Sequence, residues 1–181
     1  NDSFDPGALD FRVFETATEL HDRITELNQA ANRARVVAGY CWDWNSKRKP
    51  DAWDIVIPEQ GYRRQWNLGS DGSLWITAPD SIEQVGCIHT CQGLELDYVG
   101  VIIGPDLLIR DGKVVTDPSK RASSDKSVFG WKKLMKEEPL RAAAELDLII
   151  KNTYRTLMTR GMKGCYIFSD DEETRDWFRG I

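Results

Sequence analysis

The chain has 181 residues, 41% of them hydrophobic, and a formal net charge of -5 at pH 7. This length supports one hydrophobic core, so residues 1–181 are predicted to form a single domain. The negative charge argues against a free-standing nucleic-acid binder, whose affinity rests on clustered cations. The sequence shows no apolar run of about eighteen residues and no secretory leader, so we expect a cytoplasmic protein without a membrane partner.

The first half of the chain predicts one helix followed by short strands. Apolar residues spaced three or four apart predict an amphipathic helix over Thr18–Ala31, with Thr16 as its cap. A β-branched run predicts a buried strand over Arg35–Tyr40. A further strand is predicted over residues 54–57. A hairpin is predicted from residues 62–66 and 74–77, on either side of Gly69, Asp71 and Gly72.

The second half predicts buried strands and a long helix. Strands are predicted over Val85–His89 and Tyr98–Ile103, the latter an unbroken apolar run typical of a parallel sheet. The Asp111-Gly112 pair predicts a tight hairpin turn. Polar residues 116–126 are expected to form a mobile loop. A long helix is predicted over Leu140–Met158, followed by a strand over 165–168 and a short helix over 172–178.

This alternation of strands and helices predicts an α/β fold. We expect an open, mainly parallel sheet with helices on both faces and β-hairpin insertions. Ligands of such folds collect beyond the carboxyl ends of the strands. The polar loop that follows Val85–His89 is therefore predicted to lie at that edge and to face a phosphate-bearing ligand.

Two segments carry the clearest functional pattern. The first, residues 88–104, reads IHTCQGLELDYVGVIIG, and the second, residues 152–168, reads NTYRTLMTRGMKGCYIF. In this order they resemble the His-x-x-Gln-Gly-x-Glu loop and the Thr-Arg helix end of the second RecA-like domain in superfamily-one helicases. Together with AGYCWDW from Ala38 and WNLG from Trp66, they are similar to bacterial Schlafen group III-like DNA/RNA helicases, from about Arg35 to the end.

The resemblance implies roles around a bound nucleotide. Gln92 and Gly93 are expected near the γ-phosphate, and Glu95 near the ribose, whose hydroxyl pair suits a carboxylate. Arg160 is expected to act as an arginine finger, because a permanently charged planar guanidinium suits phosphate oxygens that gain charge during transfer. Arg155 is a second candidate for phosphate binding.

Four further residues are candidates for base or strand contacts. Tyr40 is expected near the adenine and Trp42 near nucleic-acid bases, since aromatic rings stack on both. His89 and Thr90 are expected to contact nucleic acid. Simpler interpretations stay open for these motifs: core or interface packing for the aromatic residues, a satisfied strand-end position for His89, neutralisation of the helix dipole for Arg160, and an ordinary strand-to-helix turn for the loop.

The alternation of Cys87, His89 and Cys91 does not predict a metal site. On a strand, side chains two residues apart lie roughly 6 to 7 Å from one another, which is too far to close easily on one zinc ion. No second Cys or His pair completes such a site. We expect no bound metal in this chain.

The sequence contains no G-x-x-x-x-G-K-[ST] motif and begins at Asn1 rather than at a methionine. We therefore expect ATP and Mg²⁺ to be held mainly by an N-terminal P-loop domain of a longer parent chain. The resemblance implies the C-terminal motor domain of an ATP-dependent helicase or translocase on single-stranded DNA or RNA, without ATP hydrolysis by this chain alone. The alternatives are an inert binding module for nucleic acid or protein and an ATP-driven switch without strand separation.

Overall fold

The structure is a computed structural model that describes residues 9–67, 72–91, 93 and 95–181. The turn predicted around Gly69 and Asp71 and the candidate site residue Gln92 lie outside the described residues. Within these described ranges, no helix combines the length and the apolar character that crossing a lipid bilayer requires.

A five-stranded parallel sheet forms the centre of the fold. Its strands lie in the order β1-β9-β6-β2-β5, and each neighbouring pair is parallel. β6 and β9 are mostly buried, and β2 is buried along its whole length, as expected for strands covered on both faces. The predicted α/β class with an open parallel sheet is therefore confirmed. The strands are β1 (Asp10–Val13), β2 (Ala34–Ala38), β5 (Val85–Gly86), β6 (Leu96–Ile103) and β9 (Gly161–Ser169).

Helices cover both faces of this sheet and enclose two apolar cores. One core lies under α1, and the second lies under α2, α4 and α5. A Cβ atom at Gly100 of β6 would lie 2.8 Å from Cγ1 of Ile24, so α1 can approach the sheet this closely only over a glycine. The helices are α1 (Ala17–Ala31), α2 (Ile88–Cys91), α3 (Trp131–Glu137), α4 (Pro139–Met158) and α5 (Glu172–Arg179).

The start of α1 agrees with the prediction from sequence. The Thr16 hydroxyl accepts a 3.1 Å hydrogen bond from the backbone N–H of Glu19, and the Glu19 carboxylate accepts one of 3.1 Å from the N–H of Thr16. This capping box satisfies two N–H groups that have no partner within the helix. At the other end, Asn32 adopts a left-handed conformation with φ of 50°.

Two hairpins project from the sheet, and one of them differs from the prediction. β7 (Leu107–Arg110) and β8 (Lys113–Thr116) are joined by the Asp111-Gly112 turn as predicted, with positive φ at both turn residues. The other hairpin pairs β3 (Ile55–Ile57) with β4 (Tyr62–Arg64), whereas residues 72–77 form 3₁₀ turns. The predicted partner of residues 62–66 was wrong, because Pro58 and the left-handed Gly61 turn the chain earlier than Gly72 does.

The polar segment 116–126 is anchored rather than free. The side chains of Arg121 and Asp125 are almost completely buried and form an ion pair, with 2.6 Å between Nε and Oδ2. Arg121 also reaches the buried Asp106, with 2.9 Å between Nη1 and Oδ2. The expectation of a mobile loop was wrong, because its composition is polar but its charges are paired inside the fold.

Candidate functional site

Glu95 and Arg160 meet at the amino edge of the parallel sheet. Glu95 immediately precedes β6, Arg160 immediately precedes β9, and these two strands are neighbours. The backbone N–H of Leu96 donates a 3.0 Å hydrogen bond to the carbonyl oxygen of Arg160. Two motifs separated by more than sixty positions in the sequence are thus joined at one edge. We call Gly93, Glu95 and Arg160 the amino-edge site.

The end of α4 sets the position of Arg160. Its backbone N–H donates to the carbonyl of Leu157 at 3.2 Å, and its Nε donates to the carbonyl of Thr156 at 3.1 Å. The guanidinium is half-buried, and among the described residues none forms a hydrogen bond or ion pair with its Nη1 or Nη2. The group therefore caps the helix through one nitrogen and retains two nitrogens that can donate to a ligand.

Arg160 acts electrostatically on Cys91, which belongs to the first motif. Burial raises the pKa of the Cys91 thiol at the end of α2, Cys87 adds to this shift, and the Arg160 guanidinium opposes it. A cation that acts electrostatically on Cys91 lies close to the start of the loop that leads to Glu95. Arg160 therefore lies in the neighbourhood of the end of α2.

Gly93 and Glu95, the described residues between α2 and β6, are both exposed. Gly93 has φ of 78°, a left-handed conformation that favours glycine, and a Cβ atom there would meet no atom within 4 Å. Glu95 is exposed, and its backbone carbonyl accepts a 3.5 Å hydrogen bond from Nη2 of Arg33. The carboxylate of Glu95 is thus accessible to solvent.

A small charge network borders the amino-edge site. Asp97 of β6 accepts a 2.9 Å hydrogen bond from Nζ of Lys163, and its carboxylate lies 3.6 Å from Nε of Arg33. The hydrogen bond from Lys163 is the largest cause of a lowered pKa at Asp97. The motif analysis gave no role to Arg33, which lies outside both motif segments, or to Lys163, which lies within the second segment. They bring two more cations to this edge.

The position of the site corrects one expectation from the sequence. β5 ends at Gly86, which pairs with Val37 of β2, and Val37 in turn pairs with Val101 near the carboxyl end of β6. After α2 the chain returns to the amino end of β6 at Leu96. Glu95 therefore lies at the amino edge, not beyond the carboxyl ends of the strands as predicted. The prediction failed because His89 belongs to a helical turn and not to the preceding strand.

His89 and Thr90 lie on α2, on the way between the two edges. His89 is exposed, whereas the Thr90 hydroxyl donates a 2.6 Å hydrogen bond to Oδ1 of Asn67 and lies 3.3 Å from Sγ of Cys87. The Thr90 side chain is thus engaged within the protein. Asn67 is buried and was missed by sequence reasoning, because it is distant from Thr90 along the chain.

Tyr40 and Trp42 are not brought to the amino-edge site. They follow the carboxyl end of β2, so the length of β6, roughly 23 Å, separates them from Arg160. The Tyr40 ring packs edge-on against Trp66, with 5.4 Å between ring centroids, and the carbonyl of Trp42 accepts a 3.1 Å hydrogen bond from Nε1 of Trp66. Tyr40 thus packs among aromatic rings, and its expected place near the adenine stays a prediction.

Trp42 borders a cleft of about 550 Å³ at the carboxyl edge of the sheet. The cleft lies at the ends of β2, β6 and β9, and its charged lining consists of four carboxylates and one cation: Glu59, Asp117, Asp170, Asp171, which pairs with Arg110, and Lys120. Carboxylates repel phosphates, so this edge does not suit a nucleotide as well as the cationic amino edge does.

Arg155 lies on a different surface from Arg160. It is exposed on α4 and lines a groove of about 580 Å³ between α4, α5 and the β7–β8 hairpin. Lys113 and Lys151 border the same groove. The described part of the chain contains no group of three or more His, Cys, Asp or Glu residues that could hold a metal ion.

A five-stranded parallel sheet with helices on both faces gives this chain a RecA-like α/β fold. The chain belongs to the family described as "Schlafen group 3, DNA/RNA helicase domain", whose model matches residues 2–171. The resemblance inferred from the two motifs is thereby confirmed.

A curated relative extends the comparison to yeast. The uncharacterized protein YPL245W of Saccharomyces cerevisiae is 24% identical over 171 residues, which cover 93% of this chain and 36% of that protein. The chain thus spans little more than a third of the relative's length. No solved structure matches the chain.

Proposed function

We propose that this chain is the second motor domain of an ATP-dependent helicase or translocase that acts on single-stranded DNA or RNA. The observation that carries the proposal is the meeting of Glu95 and Arg160 at the amino edge of β6 and β9. A carboxylate and a guanidinium at one open edge supply complementary groups for the ribose and the phosphates of a nucleotide.

The side chains of the amino-edge site fit a triphosphate that approaches from outside the domain. Nη1 and Nη2 of Arg160 can donate to phosphate oxygens, and their charge persists at any physiological pH. The open turn at Gly93 allows close approach of the backbone. The exposed Glu95 can accept hydrogen bonds from sugar hydroxyls. Gln92 belongs to the same proposal on the strength of the motif.

We place the remainder of the nucleotide site on a P-loop domain elsewhere in the parent protein, which would hold ATP and Mg²⁺. Hydrolysis of ATP supplies the free energy, and closure of the two domains brings Arg160 to the γ-phosphate. Opening and closing of this cleft would advance a nucleic-acid strand. His89, which is exposed beside the loop, is the proposed link between nucleotide and strand.

The test is the rate of ATP hydrolysis by the full-length protein, with and without single-stranded DNA or RNA. We expect Arg160→Ala to lower the stimulated rate at least about a hundredfold, because an arginine finger contributes about 10³ to 10⁵ in rate. Arg160→Lys keeps the charge but loses the planar fork, so it should recover only a small part of the rate.

Arg141→Ala is the matched control, because Arg141 is an exposed arginine on α4 whose partners are Glu138 and Glu145. Its rate should equal that of the wild type. An unchanged rate in Arg160→Ala would overturn the finger role. Arg160 would then be only a helix cap, through the hydrogen bond from its Nε to the carbonyl of Thr156. A folded full-length protein without any ATP hydrolysis would favour the inert binding module.

A further inference from the structure

The exposed face of the β3–β4 hairpin carries an aromatic ring and a cation. Val56 and Arg63 are directly paired across the two strands, so their side chains project from the same face, whereas Ile55 and Tyr62 are buried on the other. Trp53, just before β3, is 44% exposed. The guanidinium carbon of Arg63 lies 5.2 Å from the centroid of its ring. Arg63 thus lies over the indole on one side, and the remainder of the ring stays exposed.

A basic loop precedes this ring. Lys47, Arg48 and Lys49 are exposed, and the only exposed carboxylate between Lys47 and Trp53 is that of Asp51. In the described part of the chain, Arg63 forms no ion pair. A local excess of positive charge thus stands out on a chain whose net charge is -5.

A buried carboxylate fixes the loop against the hairpin. Oδ1 of Asp54 accepts a 2.8 Å hydrogen bond from the N–H of Ser46, and Oδ2 accepts bonds of 2.6 Å from the Ser46 hydroxyl and 2.9 Å from the N–H of Trp66. The N–H of Ala52 donates to the carbonyl of Lys49 at 2.8 Å. The backbone that carries the cations is therefore fixed beside the start of the hairpin before any ligand arrives, and Nζ of Lys47 lies 3.6 Å from the centroid of the Trp44 ring.

We propose that the surface formed by Lys47–Lys49, Trp53 and Arg63, the Trp53 surface, binds a single strand of nucleic acid. The cations would neutralise backbone phosphates, and one unpaired base would stack on the exposed indole. A duplex offers no free base face for this contact, and an acidic peptide would use the cations but leave the indole without a role. The inference deepens the proposed function by naming a surface that holds the strand, and it rests on that function for the partner class.

The test is the affinity of the full-length protein for fluorescently labelled oligodeoxythymidylate and oligouridylate, measured by anisotropy without ATP. Loss of one stacked base should make binding by Trp53→Ala about 5- to 100-fold weaker, while Trp53→Phe keeps most of the affinity. Arg63→Gln should lower the slope of log affinity against log salt by about 0.7, as expected for one phosphate contact on a single strand.

The matched control is Lys132→Gln, because Lys132 lies over Trp131, 5.8 Å from its centroid, in a cation and indole pair on α3. Its binding should equal that of the wild type. Thermal unfolding of each variant checks the fold, and the double variant Lys49→Gln, Arg63→Gln tests the surface without changing the indole. We expect the double variant to lose affinity at physiological salt.

Two results would overturn the proposal. One is wild-type affinity in both Trp53→Ala and the double variant. The other is equal competition by polyglutamate together with no effect of Trp53→Ala, which would identify a nonspecific anion surface or an acidic protein partner. These binding measurements need no ATP, and Arg141→Ala, at an exposed arginine outside both surfaces, should bind the oligonucleotides as the wild type does. Failure of the Trp53 surface is therefore distinguishable from failure of the motor function, which only ATP hydrolysis reports.

Discussion

The carbonyl oxygen of Arg160 accepts a hydrogen bond of 3.0 Å from the backbone N–H of Leu96. This bond joins the amino ends of β6 and β9 and sets Glu95 beside the end of α4. The amino-edge site therefore depends on strand pairing as much as on its own side chains. Any change that separates β9 from β6 should affect stability and activity together.

Gly161 gives the first prediction, because it follows Arg160 and pairs with Leu96. A Cβ atom at Gly161 would overlap the carbonyl oxygen of Gly164 and lie 3.0 Å from Cγ1 of Val99. We expect Gly161→Ala to lower the free energy of unfolding by about 1 to 3 kcal/mol, as overpacking commonly does. Urea denaturation measures the change.

The control for this prediction is Gly180→Ala, since a Cβ atom there would lie 3.5 Å from the carbonyl oxygen of Trp177 at ordinary contact distance. Its stability should be close to that of the wild type. Equal stability of Gly161→Ala and the wild type would show that the end of β9 shifts freely, contrary to the strand pairing described above.

Glu95 gives a prediction about binding of the ATP ribose. In the full-length protein, Glu95→Gln should raise KM for ATP about tenfold or more, because hydrogen bonds to a charged group contribute about 1.5 to 3 kcal/mol. The substitution should have little effect with an ATP analogue that lacks both sugar hydroxyls. Steady-state kinetics with the two nucleotides measure this difference.

Glu59→Gln serves as the control, because Glu59 is an exposed carboxylate at the opposite, carboxyl edge. It should leave KM unchanged for both nucleotides. A Glu95→Gln effect of the same size with and without the sugar hydroxyls would mean that the carboxylate does not bind the ribose.

The buried ion-pair network gives a prediction about stability. Asp106 accepts hydrogen bonds from Arg121 and from the Tyr154 hydroxyl, and all three side chains are buried. Asp106→Ala leaves the Arg121 charge without one of its two buried carboxylates, so the free energy of unfolding should fall by about 3 to 5 kcal/mol. Chemical denaturation measures the loss.

An exposed ion pair provides the comparison. Glu145 accepts a 2.7 Å hydrogen bond from Nε of Arg141 on the surface of α4. Glu145→Ala should change the free energy of unfolding by no more than about 1 kcal/mol, because solvent screens exposed pairs. Similar decreases in the free energy of unfolding for Asp106→Ala and Glu145→Ala would contradict the expected larger contribution of the buried network.

His21 gives a prediction about pH. Burial lowers the pKa of His21, the charge of Arg64 adds to this shift, and the hydrogen bond to the carbonyl of Ile82 opposes it. Because the folded pKa lies below the unfolded value of about 6.5, the unfolded chain binds more protons in that range. Stability is fully present above about pH 6.5 and falls as the pH drops below that value.

We expect His21→Gln to flatten this decline between about pH 7 and pH 5, measured as the free energy of unfolding at each pH. His89→Gln, at the exposed second histidine, should keep the wild-type profile. The pKa of Asp171 is lowered mainly by a hydrogen bond from Arg110. The contribution of Asp171 to stability therefore changes at more acidic pH, outside the range in which His21 titrates. If His21→Gln kept the wild-type dependence of stability on pH, the loss of stability would arise from a group other than His21.

Local features were predicted well, because each depends on a few neighbouring residues. The capping box at Thr16, the turn at Asp111-Gly112 and the long helix over Leu140–Met158 all arise from spacing and turn chemistry. β1 was missed, since its four residues alternate too briefly to form a pattern. The identity of the family was also accessible, because two specific motifs occur in the right order.

The candidate site was only partly predictable. The motifs named Glu95 and Arg160, but the edge on which they lie depends on how α2 returns the chain across the sheet. The same geometry separates Tyr40 from Arg160. Arg33 and Lys163 approach Asp97 only because β2, β6 and β9 are neighbours.

The amino-acid sequence by itself determined the class of fold, most of the helix limits and the residue types of the motifs, since periodicity and capping act over a few residues. Only the tertiary structure decided the order of the strands, the pairing of Arg121 with Asp106 and the meeting of Glu95 with Arg160. These relationships join residues that are far apart in the chain. Their geometry follows from burial and strand register across the whole domain, which no local pattern records.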